Sequence, residues 1–250
     1  MRLLQRNDTG GFSLININNN KIHPYGILSH TWLADTEEPT FEDLTKGTGE
    51  EKRGYEKIRF CGEQARQHGL QYFWVDTCCI NKENEDELSQ AINSMFRWYC
   101  NATRCFVYLS DVSTTKRKVS DRLAEFTWQL AFRASKWFTR GWTLQELLAP
   151  RSVEFFSKEG KLLGDKCSLK QQIHEITGIP KSALQGVPLS RFTVDVRLSW
   201  TTRRWTKLKE DKVYSLLGIF DVYIPLFYGE GTESALKRLR EEIDKLQKCI

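Results

Sequence analysis

Apolar residues in this chain fall into short continuous runs separated by segments of helical spacing. Tyr25–Ser29 (YGILS), Tyr72–Val75 (YFWV), Cys105–Leu109 (CFVYL) and Val153–Phe156 (VEFF) are largely apolar along their length and end at polar residues. That pattern predicts strands buried on both faces. Between them, Tyr55, Ile58, Cys61 and Ala65 recur at helical spacing up to a stop at His68-Gly69. Leu88, Ala91, Ile92, Met95, Phe96 and Tyr99 form the clearest helical stripe. Residues 121–134 also fit a helix, whereas 41–54 is polar and Gly-containing and reads as a connection. Strands alternating with helices predict an α/β fold with a parallel sheet covered on both faces.

The remainder is mostly helical. Ser168 is placed to cap a helix carrying Leu169, Ile173 and Ile176 that stops at Gly178, and helices fit 196–206, 210–217 and 233–247. Pro180, Gly186 and Pro188 mark a seam between an α/β unit, 1–180, and a helical extension, 181–250, packed on the same domain. The last helical stripe, Leu236, Leu239, Ile243 and Leu246, either packs within the chain or continues into a sensor or oligomerisation region.

One short segment does not fit a simple amphipathic pattern. In Arg140-Gly141-Trp142-Thr143-Leu144-Gln145-Glu146-Leu147-Leu148-Ala149-Pro150, the three leucines share one helical face, and Trp142 and Glu146 share the other as an i,i+4 pair. A solvated outer face is the simpler account of Glu146. A carboxylate held beside an indole is the alternative.

Composition narrows the function classes. The seven Cys include adjacent Cys78-Cys79 and no CxxC spacing, which argues for reduced thiols in the cytoplasm and against a zinc site or a disulfide framework. The first residues have too short an apolar run for a signal peptide, and no segment approaches the roughly 18 apolar residues of a membrane span. On that reading the N-x-T matches at Asn7 and Asn101 carry no meaning. Residues 1–100 hold 11 basic and 15 acidic side chains and residues 101–250 hold 26 and 17, so the parts carry −4 and +9 of the +5 net charge and the second is the basic one. Its basic residues are scattered, and Lys116-Arg117-Lys118 reads as a solvated loop, so no nucleic-acid partner is expected.

Open parallel sheets bind ligands beyond the carboxyl ends of their strands. That rule selects Ser29-His30-Thr31-Trp32, Asp76-Thr77-Cys78-Cys79, and Ser110-Asp111 with the segment leading to Glu146. Each has a plainer reading: Asp76 as a turn cap, His30 as a structural histidine, Trp32 as a core ring, Arg140 as a partner of a carbonyl or acid. No metal ligand spacing is present, no nucleophile has a basic neighbour, and Gly47-Thr48-Gly49 lacks the ending of a phosphate loop.

Several motifs together resemble the heterokaryon incompatibility domain family of filamentous fungi over most of residues 1–240. They are YGILSHTW (25–32), YFWVDTCCINK (72–82), LSQAINSMFRWYCNATRCFVYLSDV (88–112), RGWTLQELLAP (140–150), VEFFS (153–157) and EDKVYSLLGIF with PLFYGEG (210–231). The family is more distantly similar to Toll/interleukin-1 receptor (TIR) domains, which implies a flavodoxin-like parallel sheet flanked by helices, with the helical C-terminal part as an extension. Trp142–Leu147 is similar to the tryptophan-cysteine-leucine-x-glutamate-leucine segment of plant TIR domains, whose glutamate is catalytic in NAD hydrolysis. The resemblance therefore implies Glu146 as the catalytic residue. It departs from those domains in the loops Ser29–Trp32 and Thr77–Cys79.

The implied function is a cell-death effector of fungal non-self recognition that cleaves the nicotinamide–ribose bond of NAD or NADP. The dinucleotide is its substrate, and no cofactor is permanently bound. Ser29, His30, Thr31, Trp32, Asp76, Thr77, Arg140 and Trp142 are the candidate substrate-binding residues. The active form is expected to be a homo-oligomer, with a receptor or sensor as a further partner. The rival expectation is a non-enzymatic TIR-like module that signals by assembling with itself or a partner.

Overall fold

The computed structural model describes residues 1–7, 10–17, 23–114 and 128–248. The loop expected at Lys116–Lys118 and residues 121–127 of the expected helix lie outside them, and 128–133 are helical.

Seven strands form one sheet: β1 (Arg2–Arg6), β2 (Phe12–Asn16), β3 (Tyr25–His30), β4 (Tyr72–Trp74), β5 (Arg104–Leu109), β6 (Val153–Ser157) and β7 (Leu162–Asp165), in the order β2-β1-β4-β3-β5-β6-β7. The four strands expected from the apolar runs are the parallel centre, β4-β3-β5-β6. Taken by their order in the chain they lie 2-1-3-4, the flavodoxin-like arrangement, with its switch point between β3 and β5. All six residues of β3 are buried.

The antiparallel edges escape a search for apolar runs. β1 and β2 form a hairpin on β4, and β7 returns beside β6. β2 is only half-buried and β7 contains Gly164, so neither carries the continuous apolar signal of a central strand.

Alternation along β3 divides the helices between the two faces. On the Gly26–Leu28–His30 face, α2 (Tyr55–Gln67) covers β3 and β5. On the other face α4 (Glu85–Asn101) receives the Tyr25 hydroxyl at the Trp98 carbonyl, and α5 (Thr143–Leu148) packs against β3. Two shorter helices belong to the connections: α1 (Phe41–Lys46) and α3 (Asp76–Cys79). α1 corrects the reading of 41–54 as plain connection. Thr40 and Asp43 cap one another's backbone reciprocally, and Gly47 closes the helix at φ 68°.

Further along come α6 (Lys170–Thr177), α7 (Lys181–Leu184), α8 (Val194–Ser199), α9 (Asp211–Tyr214), α10 (Leu217–Phe220) and α11 (Gly231–Lys248). Gly178 ends α6 as expected, but Ser168 binds Asp165 rather than capping α6. The helix expected at 196–206 stops at Ser199, and the one at 210–217 is two short helices. Leu217, Ile219 and Leu239 belong to the same buried cluster as Leu4, Leu28 and Phe155. No helix of the described residues is long and apolar enough to cross a membrane.

Candidate functional site

The last two residues of β3 point to opposite faces of the sheet, and each meets a carboxylate. Ser29 is fully enclosed on the α5 face. Its Oγ donates to Glu146 Oε2 at 2.5 Å and accepts from Trp137 Nε1 at 2.8 Å. On the other side His30 Nε2 contacts Asp76 Oδ1 at 2.8 Å, and Trp32 Nε1 donates to Asp76 Oδ2 at 2.7 Å.

Glu146 is 5 % exposed, which excludes the solvated outer face as its account. Every residue of α5 is buried, because β3, α4, α7 and the turn Lys136–Thr139 enclose it. Amphipathic spacing therefore does not describe this helix. Burial, reinforced by the charge of Asp76, pushes the Glu146 carboxyl up to about 8, against the opposing effects of Ser29, Arg204 and Arg140. Ser29 is the one side chain that donates to this carboxyl among the described residues.

Asp76 opens α3 but does not cap it, since its oxygens are taken by His30 and Trp32. Burial penalises its charge, yet His30, Lys82 and the Trp32 N–H outweigh that penalty and hold the carboxyl below its ordinary value. Trp32 is not a core ring: it is 39 % exposed, with Lys82 Nζ 3.8 Å from its ring centroid. Trp32, Thr77, Lys82 and Lys207 line a cavity of about 520 Å³, and Glu146 is not among its lining residues.

The other expected residues are placed variously. Thr77 is buried with its hydroxyl unpaired. Thr31 faces Ser110 at 3.5 Å, and its carbonyl accepts from Lys57, which forms a buried ion pair with Glu38. Arg140 stacks 4.1 Å over the Trp205 ring. It makes no ion pair among the described residues, and burial lowers its pKa against the pull of Glu146, Asp211 and Asp76. Trp142 is half-buried and packs against the core at the start of α5. Burial, with Cys79 adding to it, pushes the Cys78 thiol well up, which makes it a poor nucleophile.

Sequence reasoning missed Trp137, Lys82, Arg204 and Trp205. Lys82 lies inside the motif YFWVDTCCINK, and its place beyond the carboxyl end of β4 is the signal that marks it. Arg204 and Trp205 sit in the polar stretch TTRRWTKLKE, where no spacing distinguishes one cation from another.

Comparison with known proteins agrees with the motifs. Residues 25–130 match the family model described as heterokaryon incompatibility protein. The chain is 55% identical over 251 residues to vegetative incompatibility protein HET-E-1 of Podospora anserina, a match covering 100% of this chain and 18% of that protein. The chain thus spans less than a fifth of that relative's length. Glu146 lies outside the matched family segment and inside the pairwise match. No solved structure matches the chain.

Proposed function

The chain carries a domain of the heterokaryon incompatibility family, and from that premise we propose that it is a cell-death effector module of fungal non-self recognition which hydrolyses the nicotinamide–ribose bond of NAD(P) at Glu146. The observation that carries this reading is an enclosed carboxyl on the α5 face of the sheet, one oxygen held by Ser29 near the carboxyl end of the central strand, which borders the switch point.

The chemistry suits a single acid. Nicotinamide departs neutral from a cationic ring, so the transition state needs a negative charge beside the ribose rather than a strong proton donor. A buried carboxylate interacts more strongly with that developing charge than an exposed one. Glu146, raised to about 8, is largely protonated at neutral pH in the free protein. The fixed positive charge of the nicotinamide ring favours its ionised form, so substrate binding and activation of the acid reinforce each other. Trp32 offers a partly exposed face to a ring of the dinucleotide, and Lys82 beside Trp32 and Arg140, whose charge acts on Glu146, are the cations for its pyrophosphate. NAD(P) enters as substrate, and assembly into a homo-oligomer with a sensor partner is part of this proposal.

The test is nicotinamide release from NAD by the purified protein at high concentration, beside Glu146→Gln matched for folding by circular dichroism. Release that vanishes in the variant supports the assignment. Absence of release from both proteins, after enforced oligomerisation, rejects it.

A second reading has an observation in its favour. Glu146 does not line the Trp32 cavity and keeps only 5 % exposure, which suits a domain that signals by assembly with itself or a receptor. On that reading Glu146→Gln leaves assembly and cell killing intact.

A further inference from the structure

Arg204 is 5 % exposed, yet its guanidinium has no carboxylate within ion-pair distance among the described residues. Nη1 donates to the Arg140 carbonyl at 2.7 Å and to Thr143 Oγ1 at 2.8 Å, while Nη2 is enclosed without a partner. A buried guanidinium left partly unbonded costs stability, and a neutral donor could make the same two bonds at lower cost. What a neutral donor cannot supply is the charge. The acid whose charge offsets the effect of burial on Arg204 is Glu146.

The two bonds have a definite target. Arg140 and Thr143 form the turn from which α5 starts. Thr143 Oγ1 in turn donates to the Trp137 carbonyl at 2.6 Å, and the Trp137 indole holds Ser29 against Glu146. Backbone contacts fasten the same turn to the Arg204 segment: Trp205 N–H donates to Thr139 O at 2.7 Å, and Gly141 N–H donates to Trp205 O at 2.9 Å.

We propose that Arg204 is a positioning residue for Glu146, holding the turn from which its helix begins and placing at that turn a counter-charge to the buried carboxyl. The proposal rests on the reading of Glu146 as the reactive acid. It adds a residue more than fifty positions away in the chain and outside the segment matched by the family model.

Five charged or titratable groups bear on Glu146 from the elements around it: Asp76 from α3, Tyr99 from α4, Cys105 from β5, and Arg140 and Arg204 from the two joined loops. Asp76 raises the carboxyl, and the two arginines lower it. Loss of Arg204's charge therefore moves the Glu146 midpoint to higher pH.

The experiment is a pH titration of side-chain carboxyl ¹³C signals in the full chain, with Glu146 assigned by its disappearance in Glu146→Gln. Arg204→Gln is expected to raise the Glu146 midpoint by about one pH unit, and Arg204→Lys to leave it close to wild type. An unchanged midpoint in folded Arg204→Gln overturns the proposal. If Arg204→Gln yields no folded protein, Arg204→Lys carries the test, because an ammonium lacks the planar fork that fits both acceptors. Faster amide exchange at residues 141–146 with the midpoint retained is then expected, and wild-type exchange overturns the proposal. The titration needs no turnover, so a protein without nicotinamide release fails the enzymatic reading and still reports on Arg204. In an active protein, the pH profile of release shifts with the Glu146 midpoint.

Discussion

Ser29 and Glu146 lie 117 residues apart in the chain and meet through a hydrogen bond of 2.5 Å in the interior, where the hydroxyl also accepts the Trp137 indole N–H. One small side chain thus joins the end of the central strand to the helix bearing the candidate reactive acid.

Replacing Ser29 with Ala leaves two buried polar groups without their partner. Urea unfolding of Ser29→Ala should show a loss of about 1–3 kcal/mol. Because the Ser29 bond lowers the Glu146 carboxyl, the same variant should also raise the Glu146 midpoint in a ¹³C titration.

Glu146 makes stability depend on pH in an unusual direction for a carboxylate. Its folded value of about 8 stands above the ordinary 4.5, so between these limits the native state holds a proton that the unfolded chain releases. Its contribution is fully present below the unfolded value and is lost as pH rises through the folded one. Glu146→Gln should therefore gain on wild type at up to about 1.4 kcal/mol per pH unit across that window. Equilibrium unfolding of both proteins from pH 5 to about 8.5 measures it, and parallel curves would reject the buried-acid assignment.

Asp76 has the opposite linkage. Held below its ordinary value, it contributes stability above the unfolded pKa that is lost as the solution is acidified through the folded one. Asp76→Asn should lower stability at neutral pH and flatten the acid limb of the unfolding curve. Since the Asp76 charge raises Glu146, the variant should also bring the Glu146 midpoint down, visible by the same carboxyl titration.

Lys57 and Glu38 form an ion pair in which both side chains are more than nine-tenths buried. Lys57→Met strands the carboxylate and should cost about 3–5 kcal/mol. The double variant Lys57→Met, Glu38→Leu should recover most of that loss, as measured by thermal unfolding of the complete double-mutant cycle.

Gly141 has no room for a side chain: an added Cβ would stand 2.4 Å from Thr206 Cγ2. Gly141→Ala should push the Arg204–Thr206 segment off the start of α5. The expected result is a loss of about 1–3 kcal/mol together with faster amide exchange at residues 204–206. Unchanged exchange there would show that the two loops are not fastened as described.

Much of the fold is legible without coordinates because buried parallel strands and helical stripes are local patterns. Tyr25–His30 and the stripe from Leu88 to Tyr99 announce themselves by composition and period, and both occur within a residue or a few of the expected bounds. α1 was also legible, since Thr40 and Asp43 stand at capping-box spacing, but its polar composition masks that signal. The hairpin β1–β2 and β7 are not announced, because edge strands need only one buried face and tolerate polar and glycine residues.

The sequence by itself determined the four central strands, the helices that cover them, the family motifs, and the presence of Glu146 in a short segment whose spacing left its surroundings open. Only the tertiary structure decided that α5 is enclosed on every side, that Ser29 and Trp137 hold its acid, and that Asp76 and Arg204 act on that acid from opposite directions. Period and composition report how a residue relates to neighbours a few positions away. The pKa of a carboxyl depends instead on the charges and dipoles within several ångströms of it, and here the chain brings those from segments up to 117 residues distant.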